Sequence, residues 1–215
     1  MNGNRALVTL VAVACAALVG LLLAGQAGAA VIAKLIASTA FVVLAIKRGA
    51  LNAVYGRLIL AGLAFSWFGD MFLTGESQQM FLAGLAAFLL GHLAFASAFV
   101  AHGYHRTWII VAAVPLTAVA FLVWTWLEPH TPADLSIPVR AYIAVITIMV
   151  IFAFGTRGRH GSWLIVAGAT LFFLSDLSVA ALRLLQTPLP TYVLGLPAYY
   201  AAQVCFALSV SPGRS

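Results

Sequence analysis

Four stretches of this chain contain no Asp, Glu, Lys or Arg, and they cover residues 6–33, 77–105, 107–127 and 184–213. Each is at least as long as the roughly 20 apolar residues that an α-helix needs to cross the hydrocarbon core of a bilayer. Only 7% of the residues are charged and 64% are hydrophobic, whereas a soluble domain has about 25% charged residues. The composition therefore excludes a soluble globule and predicts an all-α, polytopic membrane bundle.

Turn-forming and charged residues divide the apolar sequence into eight predicted transmembrane helices. Connections of a few residues make neighbouring helices antiparallel, and none is long enough to link separate domains. We therefore predict that residues 1–215 form a single transmembrane domain. The breaks lie at residues 25–28, 47–49, 75–77, 128–138 and 187–190. The predicted spans cover residues 6–24, 29–46, 56–74, 79–101, 107–127, 138–155, 162–183 and 191–210.

The first span has a second interpretation. Arg5, the apolar run after it and the small residues at 28–30 resemble a secretory signal with its cleavage site. The apolar run from Ala6 to Ala24 is longer than the roughly 7–15 residues of a signal core. We therefore expect the first helix to be retained.

Basic residues are distributed unequally between the two ends of the spans, and this distribution predicts the orientation. The positive-inside rule places the more basic side, which here carries both termini, in the cytoplasm. We expect a multi-pass protein of a bacterial inner membrane, and the net charge of +6 reflects topology and not a nucleic-acid partner. The N-terminal side carries Arg5, Lys47, Arg48, Arg57, Arg106, Arg157, Arg159 and Arg214, and the opposite side carries Arg140 and Arg183.

Two segments of the chain resemble each other at a separation of four spans. The matched positions pair Gly62 with Gly168, Asp70 with Asp176, and His92 with Gln203. Frequent Gly, Ala, Leu and Phe also produce short matches by chance, but the aligned acids are rare here. Because both segments cross in the same direction, we predict two parallel four-helix halves, residues 1–105 and 106–215, related by an axis along the membrane normal. This arrangement would bring the third and seventh helices together.

Ionisable side chains inside the predicted spans are candidates for function, because a charge at the bilayer centre costs at least about 2.5–3.5 kcal/mol. They are Lys34, Asp70, His92 and Asp176. One interpretation is purely structural, with Lys34 paired to one acid. Lys34 can neutralise only one carboxylate, so we expect the other carboxyl to hold a proton. Two carboxyls in one site then provide a proton donor and a base.

Other polar residues are candidates for supporting roles. His92 is either part of the site or a histidine that is simply hydrogen-bonded within the bundle. Tyr199 and Gln203 are one helical turn apart and can present hydrogen bonds together. Arg183 lies two turns beyond Asp176, where it either binds a phosphate or extends to the membrane surface. No nucleotide, redox or metal motif is recognisable, so we expect no cofactor and no metal.

The most distinctive motifs resemble the lysoplasmalogenase family, the YhhN-like membrane proteins. The resemblance covers residues 34–209 and rests on residues 62–70, 81–92, 175–176 and 199–203. It implies an eight-span hydrolase that cleaves the vinyl ether bond of lysoplasmalogens and releases a fatty aldehyde and glycerophosphoethanolamine or glycerophosphocholine. Its partners would be a lysophospholipid substrate and membrane lipids. With the residue chemistry, it assigns Asp70, Asp176 and His92 as catalytic, and Lys34, Ser66, Tyr199, Gln203 and Arg183 as supporting or substrate-binding residues.

A vinyl ether hydrolyses when its β-carbon is protonated and water captures the oxocarbenium ion, which suits a pair of carboxyls. Besides this hydrolase, two other functions would use the same residues. A proton-coupled transporter would instead load and release protons on the same acids. An assembly factor would need only an ion pair with Lys34. A hydrolase predicts one lipid-binding cavity containing both acids, and a transporter predicts broken helices with access from both sides.

Overall fold

The computed structural model describes residues 2–159, 161–185 and 190–210, and these residues form α-helices and short helical turns without a β-strand. Each of the long helices coincides with a predicted span to within a few residues, so the all-α bundle is confirmed. Arg214 and positions 187–189 of the last predicted turn lie outside the described residues. The helices are α1 (Asn2–Leu23), α2 (Ala27–Lys47), α3 (Val54–Phe72), α4 (Gln78–His102), α5 (Arg106–Leu127), α6 (Ser136–Gly155), α7 (Trp163–Leu184) and α8 (Tyr192–Ser209).

Seven of these eight helices are long and apolar enough to cross a membrane. The exception is α3, which has 19 residues, because Arg57 near its start and Asp70 near its end lower its mean hydropathy. At a rise of 1.5 Å per residue α3 is still about 28 Å long, close to the roughly 30 Å of the hydrocarbon core. It packs against α2, α4 and α8, and its Ser66 and Asp70 are buried. The chain is an integral, multi-pass membrane protein.

Local residues determine where several helices begin and end. Gly25, Gly49 and Gly103 follow α1, α2 and α4 with φ angles of 70°, 85° and 95°, a region that suits a glycine at a helix end. Ser77 and Ser162 precede α4 and α7, and each side chain accepts a hydrogen bond from the first helical turn at 3.2 Å. These ends produce the short turns that make consecutive helices antiparallel.

Tight glycine contacts occur at corresponding places in the two proposed halves. Helix α3 packs closely on α4, and α7 packs closely on α8. A side chain added at Gly62 would meet the ring of Phe95, and one added at Gly168 would meet the ring of Phe206. Phe95 and Phe206 occupy aligned positions in the sequence. These contacts favour the internal repeat, which stays a prediction.

The expected pairing of the third and seventh helices is wrong. Across the part of the chain that the structure describes, α3 and α7 share no extensive interface. The ring of Phe172 on α7 instead lies 6.1 Å from Phe88 on α4 and 6.5 Å from Phe206 on α8, measured between centroids. Large aromatic side chains therefore fill the centre of the bundle and keep α3 and α7 apart.

Candidate active site

Asp70 lies one half-turn before the end of α3 and is only 3% exposed. Its Oδ2 accepts hydrogen bonds from the hydroxyls of Ser38 on α2 at 2.6 Å and Tyr199 on α8 at 2.8 Å. The Tyr199 hydroxyl is also 3.3 Å from the carbonyl oxygen of Ser66. The Tyr200 hydroxyl is 3.3 Å from Ser38 Oγ. Neutral hydroxyl groups from two neighbouring helices therefore hold this carboxyl.

Asp176 on α7 has a different set of partners. Tyr142 on α6 donates a hydrogen bond to its Oδ2 at 2.8 Å, and Nε2 of His92 on α4 is 3.0 Å from the same oxygen. Nε2 of His92 is also 2.9 Å from the Tyr142 hydroxyl, so the three polar groups form a triangle. The Asp176 side chain is 17% exposed, whereas His92 is fully buried. Nδ1 of His92 has no hydrogen-bond partner among the described residues.

Both acids line one cavity of about 470 Å³, within the roughly 300–1,000 Å³ usual for small-molecule sites. Its wall is mostly apolar, and Tyr142 and Tyr199 present their side chains to it. The lining residues come from the ends of α1, α3, α5 and α7 and from the beginnings of the other four helices. The cavity therefore lies in the half of the bundle opposite the two termini.

Lys34 does not form the ion pair that one interpretation of the sequence required. Its side chain is partly buried on the cavity wall, and its charge acts on Asp70 over a longer distance. Within the described residues, the only acid–base contacts within 4.0 Å are those of His92 with Asp176 and of Arg140 with Glu128. Lys34 is therefore available to other negative groups in the cavity.

The remaining predicted residues fall into two groups. Arg183 is exposed at the cavity wall, and its guanidinium carbon lies 5.4 Å from the centre of the Phe81 ring. Ser66 and Gln203 are fully buried and do not line the cavity. Nε2 of Gln203 is 3.4 Å from Ser66 Oγ, which supports the segment of α3 that carries Asp70.

His92 is not among the residues that line the cavity, and its predicted catalytic role stays a prediction. Its Nε2 contacts Oδ2 of Asp176 directly. Sequence reasoning also missed Ser38 and Tyr142, which bond the two acids. Ser38 had a usable signal because it lies one helical turn after Lys34 and shares its helix face. Tyr142 had none, since a tyrosine in an apolar helix is common.

These features define a class of protein: a multi-pass helical membrane protein with two carboxyl groups on one cavity. Residues 29–210 match the model of the YhhN family. The chain belongs to the YhhN family.

Curated relatives include three animal proteins. The chain is 32% identical over 168 residues to lysoplasmalogenase TMEM86A of Bos taurus and 32% identical over 164 residues to that of Homo sapiens, with 73% of this chain and 66% of each relative covered. It is 33% identical over 161 residues to lysoplasmalogenase TMEM86B of Sus scrofa, with 73% and 65% covered. The chain thus spans just under two thirds of the length of these relatives. No solved structure matches it significantly.

Proposed function

We propose that this chain is a membrane-embedded lysolipid hydrolase that cleaves the vinyl ether bond of lysoplasmalogen to a fatty aldehyde and a glycerophospho-headgroup. The observation that carries the proposal is the presence of Asp70 and Asp176 on one cavity. The 32% identity to proteins named lysoplasmalogenase supports the choice of substrate.

The reaction requires a proton donor in a site with little water. Protonation of the vinyl β-carbon produces an oxocarbenium ion, and a nearby carboxylate stabilises its positive charge. Water then adds to the cation, and the resulting hemiacetal breaks down to the aldehyde and the glycerol hydroxyl. Glycosidases divide this work between two carboxyl groups in the same way. Asp70 and Asp176 are the two acids that line the cavity.

The cavity wall also suits the two ends of a lysolipid. Its apolar side chains match the hydrocarbon chain, and Arg183 presents a guanidinium group that binds phosphate through paired hydrogen bonds. Arg183 lies seven residues after Asp176, or about 10 Å along α7. That separation is comparable with the glycerol backbone between a vinyl ether and a phosphate. Lys34 provides a second positive charge on the same wall.

The transporter alternative has less support from the geometry. Helices α1–α8 are unbroken within the described residues, although Pro115 and Pro197 lie inside two of them. The lining residues occupy one half of the bundle, and a transporter needs alternating access from both sides. The assembly-factor alternative loses its main argument because Lys34 is not ion-paired with either acid.

The test is to incubate the purified protein with lysoplasmalogen and, separately, with the matching acyl lysolipid. We expect fatty aldehyde from the first lipid and no fatty acid from the second, because an ester is not activated by protonation at carbon. Release of fatty acid without aldehyde would contradict the proposal. Proton movement across proteoliposomes without any aldehyde would favour the transporter.

We also propose an inner-membrane orientation with both termini in the cytoplasm, supported by the excess of Lys and Arg on that side. In a chain without Cys15 and Cys205, Ala133→Cys should react with a membrane-impermeant thiol reagent in intact cells. Leu51→Cys, in a turn whose leucine is 57% exposed, should react only after permeabilisation. The reverse labelling pattern would contradict this proposal and place both termini outside the cytoplasm.

A further inference from the structure

The two carboxyl groups differ in the kind of hydrogen-bond partner that surrounds them. Asp70 contacts the hydroxyls of Ser38 and Tyr199. Asp176 contacts one hydroxyl, that of Tyr142, and one imidazole nitrogen, Nε2 of His92. A hydroxyl can donate or accept a hydrogen bond, whereas an N–H group can only donate. The two sites therefore tolerate different protonation states of their acids.

The hydroxyls around Asp70 can adapt when the carboxyl gains or loses a proton. The Tyr199 hydroxyl lies 2.8 Å from Asp70 Oδ2 and 3.3 Å from the carbonyl oxygen of Ser66, which can only accept. With Asp70 ionised, Tyr199 donates to the carboxylate. With Asp70 protonated, the carboxyl donates to Tyr199, which turns its own proton to the Ser66 carbonyl. Neither state leaves the Asp70 carboxyl or the Tyr199 hydroxyl unpaired.

The surroundings of Asp176 favour one state. Nδ1 of His92 is buried without a partner among the described residues, and a proton there would be a donor with no acceptor. The proton therefore belongs on Nε2, which faces Oδ2 of Asp176 at 3.0 Å. Tyr142 donates to the same oxygen at 2.8 Å. Two donors on one carboxyl oxygen hold Asp176 as a carboxylate.

From these contacts we infer a division of roles between the acids, which rests on the proposed function. Asp70 is the proton donor to the vinyl β-carbon. Asp176 is the base that accepts a proton from the attacking water. Tyr142 and His92 are positioning residues that act through Asp176, and nothing in the sequence pattern had assigned a role to Tyr142.

The proposed cycle balances in protons and electrons. The C=C electron pair takes the proton of Asp70, leaving a carboxylate and an oxocarbenium ion. Water adds to the cationic carbon and loses a proton to Asp176. Asp70 then takes the hydroxyl proton of the hemiacetal while Asp176 returns its proton to the glycerol oxygen, and the C–O bond breaks. One water is consumed, and both acids regain their starting states.

The test follows deuterium in lysoplasmalogen recovered from D₂O. In Asp176→Asn, Asp70 still delivers deuterium to the β-carbon, but capture by water is slow. The oxocarbenium ion then loses the protium that the β-carbon carried at the start, as a proton to Asp70, and the vinyl ether forms again. Recovered substrate should therefore contain deuterium at the β-carbon. In Asp70→Asn, we expect recovered substrate without label. Label in Asp70→Asn alone, or in neither variant, would overturn the assignment. Asp176→Ser replaces Asp176→Asn if the latter does not fold.

The positioning residues are tested by the same measurement. Tyr142→Phe and His92→Leu should each lower kcat by about 10- to 100-fold, the effect of losing a hydrogen bond to a charged group. KM should not change, and label should accumulate in the substrate. His92→Gln, which can keep an N–H donor and copies the aligned residue Gln203, should recover most of the kcat.

The matched control is Tyr55→Phe, because the Tyr55 hydroxyl bonds Ser209 at 2.6 Å at the opposite end of the bundle. It should keep wild-type turnover and produce no labelled substrate. If Tyr142→Phe behaves like Tyr55→Phe, Tyr142 does not position the base. A wild-type protein that releases no aldehyde would contradict the proposed function itself and not the division of roles.

Discussion

Asp70→Asn and Asp176→Asn are each expected to lower aldehyde release from lysoplasmalogen by at least about 100-fold, the usual loss for a general acid or base. Asparagine has nearly the same size and polarity as aspartate, so helix packing should persist. An amide cannot donate a proton to carbon or accept one from water at neutral pH. Steady-state turnover with the purified variants measures the effect, and thermal unfolding in detergent verifies the fold.

The matched control for this result is Asp134→Asn. Asp134 is exposed in the loop between α5 and α6, where it accepts a hydrogen bond from Gln78 at 2.8 Å. The substitution is chemically identical but lies outside the cavity, so turnover should equal that of the wild type. If both cavity variants stay folded and retain wild-type turnover, the carboxyl-pair mechanism is wrong and the acids serve only packing.

Phe172→Ala is expected to destabilise the protein by about 3 kcal/mol, at the lower end of the usual cost for a buried phenylalanine. The lower end applies because lipid is as apolar as the core, so the loss comes from packing and not from exposure to water. Phe172 is fully buried on α7. Its ring lies within 6.5 Å, between centroids, of the rings of Phe88, His92, Phe95, Tyr199 and Phe206.

The loss should extend to activity, because His92 and Tyr199 pack on this ring and bond the two acids. We expect the thermal unfolding midpoint in detergent to fall by about 6–12 °C and aldehyde release to fall with it at temperatures where the variant is folded. The control is Phe121→Ala on α5, whose side chain is 66% exposed. Equal stability of the two variants would refute a central packing role for Phe172.

Much of the fold could be predicted from the apolar stretches and from the turn-forming and charged residues that separate them. A chain in hydrocarbon must satisfy its backbone hydrogen bonds internally, so each apolar stretch of sufficient length becomes a helix. Turn formers such as Gly49 and Ser77 then appear where helices end or begin. The depth of Asp70 and Asp176 in the bundle also followed from sequence, since the helical rise converts residue number into distance along the axis.

The sequence by itself therefore determined the helices, their antiparallel order and the height of each rare polar residue. Only the tertiary structure decided which helix faces meet, because the rotation of each helix and its choice of neighbours depend on how large side chains such as Phe172 pack. That packing separates α3 from α7. It places His92 beside Asp176 and brings Tyr142 and Ser38 to the two acids. These contacts join residues that are 32 to 84 positions apart in the chain, and no local pattern encodes them.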